Sequence, residues 1–326
     1  MFKFLTIVTR LTLALGFVLS VAALTYGALA FMPEFSAWGE PVNMESIPGT
    51  SSEFNTPYND GCPIQAPDGL SFYIASNRPG GFGGQDIWVS HRAARDDAWG
   101  PFENLGLPVN GSADDFCPSP TRGHRLFFVS ARAGGCGGPD MYVTRLGPFG
   151  WEEPQNLGCD INSAGAEASP SFFEDDNGDD VLYFSSARAG GFAADTGPTP
   201  DADIYFTVNF GTAQLAPGLN TAFEDTRPNV RHDGREIVFD STRPGTLGGP
   251  DIWTALRNNT NEDWLTPLHL DGPINSAASE TRATISWNGT QLVFGSTRAG
   301  SEPAPNNGPP SNDVYISTRE KLTGNQ

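Results

Sequence analysis

A phrase built as Ser-x-Arg, then a run of small residues, then Asp and an aromatic comes back five times, and this return limits the fold more than any other feature of the chain. It reads SNRPGGFGGQDIWV from Ser76 and SARAGGCGGPDMYV from Ser130. It returns, with longer or altered middles, around Ser186, Ser241 and Ser296. The spacings are 54, 56, 55 and 55 residues. Periods of that length belong to arrays in which each unit buries an apolar face against the next. The glycines could suggest a phosphate cradle, but such a cradle opens a helix. Ile87, Trp88 and Val89 after Asp86 favour a strand, so the glycines join two strands.

One unit divides into four short strands, A to D: CPIQA, LSFYIAS, QDIWVSH and NLGLPVN in the first copy. Strand A carries Pro63, Pro118, Pro170 and Pro228, with Ala283 in the fifth copy. Proline cannot donate to a ladder, so strand A is expected at a sheet edge, facing a central channel. Strand C repeats an aromatic at Trp88, Tyr142, Tyr205, Trp253 and Tyr315, which we assign to packing between units. The fifth copy stops after strand C, whereas Trp38 in AWGEPVN matches Trp99, Trp151 and Trp264 near the other D strands. The prediction is an all-β, five-bladed β-propeller of four-stranded antiparallel blades, its last blade closed by the N-terminal strand.

Ahead of the repeats, Lys3 and Arg10 precede a long uncharged run ending in Ala28, Leu29 and Ala30. Residues 1–30 read as a signal peptide, leaving 31–326 as a single propeller in the periplasm or outside the cell. The run from Leu11 to Phe31 could also span a bilayer uncleaved, and that is the only membrane attachment expected. A net charge of −19 argues against nucleic acid and anionic lipid as partners. Four cysteines lie in the exported part, where disulfides persist. Among three connectivities, Cys62–Cys117 and Cys136–Cys159 are expected, the first only if the α-carbons come within about 7 Å.

Between strands D and A, an Asn is followed five residues later by an acid in every copy: Asp60 after Asn55, Asp115 after Asn110, Glu167 after Asn162, Asp225 after Asn220 and Glu280 after Asn275. Strand B ends toward Arg78, Arg132, Arg188, Arg243 or Arg298, and strand C begins at Asp86, Asp140, Asp203, Asp251 or Asp313. In an antiparallel meander these points share one face. The expectation is a structural triad in each blade, with the guanidinium bridging both carboxylates.

Function is then sought where copies disagree. The loops over 191–203 and 300–313 are longer than the others and make Asp195, Asp201, Asn306 and Asn307 binding candidates. At the start of strand A the copies read Cys62, Cys117, Ser169, Arg227 and Arg282. The two arginines could take an anion, or pair with Asp225 and Glu280 beside them. Asp240 is the lone acid just before the strand B serine. Asp175, Asn177 and Asp179 partly imitate a calcium loop without its closing Glu, a weak metal candidate; no other cofactor is expected. His91, His124, His232 and His269 occupy unrelated positions and are expected in solvent.

LSFYIASNRPGGFGGQDIWVSHR with its echoes, and NLGLPVN with NLGCDIN and DGPINSA, resembles the WD-like propeller repeat of TolB and of bacterial envelope proteins with an OmpA-type domain. The resemblance covers residues 38 to 319 and implies an exported propeller that acts by binding. The leading expectation is a non-catalytic scaffold with a protein or glycan ligand at the loop face. The alternative is a glycan-active enzyme, which requires carboxylates about 5 to 10 Å apart at the channel mouth, free of arginine bridges.

Overall fold

The computed structural model describes residues 34–192, 201–301 and 312–322. The chain divides into Trp38–Arg319 and a unit made of both ends, Met1–Ala37 with Glu320–Gln326. In that second unit Phe35 and Lys321 form an antiparallel bridge, and Ser36 N–H donates to the Glu320 carbonyl at 2.9 Å. The segment 1–30, expected to be a signal peptide or an anchor, lies outside the described residues.

Trp38–Arg319 is a five-bladed β-propeller. In the first blade strand A is Asp60–Gln65, B is Ser71–Ser76, C is Asp86–His91 and D is Phe102–Asn104, paired antiparallel in that order. The A strands of the next four blades are Asp115–Pro120, Glu167–Glu174, Asp225–Val230 and Glu280–Ile285, each at the inner edge of its sheet. The second blade adds a short strand, Gly150–Trp151. Strand D is earlier and shorter than NLGLPVN suggests. Its ladder ends where Trp88 faces Asn104, and Gly106, at φ +65°, turns the chain away.

The fifth blade is built from both ends of its unit. Val42–Asn43 pairs with Asp313–Thr318, Val42 facing Ile316 and Asn43 facing Tyr315. The Arg319 guanidinium lies 4.1 Å from the Trp38 ring centre, the stack that Arg92 makes on Trp99 and Arg257 on Trp264. Closure therefore reuses the contact that finishes ordinary blades. Five apolar clusters, one at each blade junction, replace a single central core. Phe54, Phe72 and Trp88 meet Val293 and Val314 at the closing junction, and Ile87 and Val89 meet Leu126 and Phe128 at the next. Because the core is circumferential, the middle of the ring is left to whatever the A strands project into it.

Candidate functional site

On the face where A strands begin and B strands end, the repeat residues form five clasps. Arg78, Arg132, Arg188, Arg243 and Arg298 pair with Asp60, Asp115, Glu167, Asp225 and Glu280 at 2.6, 2.9, 3.4, 2.5 and 3.2 Å. Each arginine Nε also donates to its own Ser-x-Arg hydroxyl, which is why the serine recurs two residues earlier. The same guanidinium lies over the strand C aromatic, 4.5 to 5.5 Å from its centre in all five blades. The acids' side chains are almost wholly buried, so each needs its cation. The Asn five residues earlier accepts a backbone N–H from strand C of the preceding blade: Asn110 from Ile87, Asn162 from Met141, Asn220 from Ile204, Asn275 from Ile252. Asn55 takes that of Val314 across the closing junction.

The second half of the expected triad is corrected. Asp86, Asp140 and Asp251 do not bind the arginines; they fold back on their own loops and accept the N–H of Phe82, Cys136 and Leu247. Asp203 accepts that of Phe192 in the same way. The arginine is already spent on the strand A acid, the serine and, in four blades, a carbonyl of the preceding connection. The loop N–H groups are nearer claimants. This also explains the glycine before Phe82, Cys136 and Phe192: a Cβ on Gly81, Gly135 or Gly191 would collide with the aspartate carboxylate.

In the channel, backbone identity coexists with side-chain divergence. Every A strand bulges, the register slipping between Gly61 and Ile64 and at the matching points of the other blades. At the bulge Cys62, Cys117, Ser169, Arg227 and Arg282 all take φ between +47° and +57°. L residues seldom adopt that region, so five in five mark a shared device. It aims these side chains inward, where they line one cavity. Cys62 and Cys117 form a disulfide with α-carbons 4.9 Å apart, and Cys136 and Cys159 form the other at 5.6 Å.

The arginines choose neither alternative partner. Arg227 pairs at 3.1 Å with Asp240, whose side chain is 1% exposed, rather than with Asp225. The backbone N–H of Arg282 donates to both Asp240 oxygens at 2.9 and 3.0 Å. Burial, only partly offset by the Arg227 charge, pushes the Asp240 pKa up to about 6. The Arg282 guanidinium donates no hydrogen bond to, and forms no ion pair with, the described residues. Burial, with Arg227 as a like-charged neighbour, brings its pKa down to about 10, so it stays charged at neutral pH.

Above this ring a cavity of about 120 Å³ opens toward the clasp face, lined among others by Asn59, Gln85, Arg227 and Arg282. On the same face, equivalent B–C loop positions hold Phe82, Phe192 and Leu247 at 52, 55 and 55% exposure, with Phe223 at 43% from a D–A connection. At the opposite end, Trp287 is sandwiched between His232 at 4.4 Å and Arg122 at 4.2 Å. These belong to A–B turns of the fifth, fourth and second blades, so the stack reaches across that mouth.

Asp195, Asn306 and Asn307 lie outside the described residues, as do the middles of both long loops. Asp201 is partly buried just ahead of strand C, Asp203–Val208. Asp175 and Asp179 close a hydrogen-bonded turn, Asp175 accepting the N–H of Asn177 at 2.8 Å and of Asp179 at 2.9 Å, so the pattern that imitates a calcium loop is occupied by its own backbone. No group of His, Cys, Asp or Glu among the described residues is arranged to hold a metal ion. Two histidines correct the expectation of solvent. His232 is the stacked one, and His269 sits 2.6 Å from Asp251 and 2.7 Å from Asp271. It stands where Asn104 and Asn156 hold the equivalent aspartates. Burial opposes its charge, but the bonds to Asp271 and Asp251 win and raise its pKa.

No family model and no curated protein matches the sequence. Among solved structures, a thermostable family-43 glycoside hydrolase is 12% identical over 85% of this chain and 94% of its own, with a TM-score of 0.54. The α-L-arabinofuranosidase of Lactobacillus brevis is 12% identical over 87% and 95%, with a TM-score of 0.53. A putative TolB from Agrobacterium tumefaciens is 14% identical over 89% and 100%, with a TM-score of 0.48. At such identities the likeness to the two glycosidases is one of fold alone.

Proposed function

We propose that this propeller is exported and takes a glycan at its clasp face. The observation that carries the reading is the set of exposed apolar side chains, Phe82, Phe192, Leu247 and Phe223, on the face where the channel cavity opens. Solvent-exposed aromatics on pinned loops offer flat apolar surfaces while the channel supplies polar groups, the division of labour of a ligand site. The glycosidases among the solved structures support a carbohydrate over the protein partner of a scaffold. Two disulfides support an oxidising compartment. The test is binding of the full chain to immobilised polysaccharides. Replacing Phe82, Phe192 and Leu247 together by Ser is expected to abolish retention without unfolding the blades, and unchanged retention would refute the assignment.

Hydrolysis is the second reading. The shared fold favours it, and so does Asp240, whose carboxyl holds its proton closer to neutrality than an ordinary aspartate. Against it, all five strand A acids and Asp240 hold an arginine. Binding without cleavage is therefore the reading the geometry favours. Reducing-end release that falls about 100-fold or more in Asp240→Asn would reverse that order.

A further inference from the structure

The channel holds two guanidinium groups and one carboxylate in a chain of net charge −19, a local excess of positive charge. Asp240 is engaged at both oxygens: one accepts from the Arg227 side chain and both accept from the Arg282 backbone. The Arg282 side chain thus leaves its donors unused among the described residues while its main chain holds the acid. Strand A of the first blade lies alongside it at Gly61, where a Cβ would stand 3.4 Å from the Arg282 Cδ and Nε, in ordinary contact. The matching positions elsewhere are Phe116, Ala168, Thr226 and Thr281. The guanidinium borders both the cavity below the bulge ring and the one above it.

We propose that this throat is a carboxylate-binding site anchored by the Arg282 fork, and that the carboxylate belongs to an acidic glycan lying on the clasp face. The glycan half rests on the reading given above; the carboxylate half rests on the channel alone. A guanidinium presents parallel N–H donors at the spacing of two carboxylate oxygens, and an unpaired one in a partly dry channel gains most from such a ligand. The cavity of about 120 Å³ beside Arg282 receives the acidic group. It has room for a carboxyl group. With the carboxyl there, the sugar ring lies toward the mouth, within reach of Asn59 and Gln85, and the chain runs toward Phe82 and Phe192.

Calorimetric titration of the full chain with a trisaccharide of galacturonic acid and with the matching trisaccharide of galactose tests both halves. The acidic sugar is expected to bind at least about tenfold more tightly. Arg282→Gln should erase that preference while leaving the neutral sugar's affinity unchanged, and Arg282→Lys should restore part of it. Because the Arg282 side chain has no partner among the described residues, Arg282→Gln should melt within about 3 °C of the wild type, which separates lost binding from lost folding. Equal binding of both sugars by the wild type overturns the carboxylate site and leaves the glycan reading intact. Arg282-dependent binding of acetate or of a peptide C-terminus, with neither sugar bound, overturns the glycan half and keeps the site. Tighter binding of inorganic phosphate than of galacturonate overturns the choice of carboxylate.

Discussion

The clasps and the channel ring are both fivefold, and they differ in what is repeated. In the clasps side chain and backbone recur together, an acid, a serine and an arginine in every blade. In the ring the backbone recurs, at φ +47° to +57°, while the side chains read Cys, Cys, Ser, Arg and Arg. A contact repeated in full answers a need common to every blade. A conformation repeated with different side chains is a mount, and what each blade mounts is open to function.

Breaking a clasp should give the largest effect. Arg243→Met leaves Asp225 charged with its cation gone, in a side chain with no exposure, and is expected to cost about 3–5 kcal/mol in urea unfolding. Any of the other four clasps should respond in kind, and a loss below about 1 kcal/mol would end the structural reading.

In the ring, Asp240 should announce itself through pH. Its folded pKa of about 6 exceeds the unfolded value of 3.8, so its contribution is fully present below pH 4 and is lost as pH rises through 6. That loss amounts to about 3 kcal/mol. Unfolding of the wild type and of Asp240→Asn between pH 4 and 7 should differ in slope over this window, and parallel curves would mean that the carboxyl is better solvated than its 1% exposure implies.

Asn55→Ala removes the acceptor that holds the Val314 N–H across the closing junction and is expected to cost about 2 kcal/mol. Asn110→Ala, between two blades contiguous in sequence, should cost the same if closure is an ordinary junction.

The smallest effect belongs to His269, which departs from the Asn of its sister blades. Its raised pKa makes its contribution greatest below the ordinary histidine value, and it fades as pH rises through the folded one. His269→Asn should remove that dependence, lowering stability below about pH 6.5 and leaving it little changed at pH 8. Comparison of melting temperatures at pH 6 and pH 8 reads the difference.

The clasp was half legible. Asn, strand A acid and arginine recur in the same order in every copy, so their partnership follows from the repeat, but the strand C aspartate recurs as faithfully and does something else. Spacing locates a residue on a face without saying which of two neighbours claims its hydrogen bonds. The Arg–Trp stack that closes the ring also left a trace, since Arg92, Arg257 and Arg319 each follow strand C directly. The Arg282 donors left none, because Asp225 and Glu280 stand nearby in sequence and look like their partners.

The sequence by itself determined the number of blades, the strand order, the edge position of the proline-bearing strand and the need for the N-terminal segment to complete the last blade. These follow from period, alternation and a missing strand, all local quantities counted along the chain. Tertiary structure alone decided where charge is left over. Asp240 and Arg282 are 42 residues apart and meet only because strand B of the fourth blade packs beside strand A of the fifth. Which cation an acid neutralises there depends on distance and desolvation in three dimensions, and no spacing along the chain encodes either.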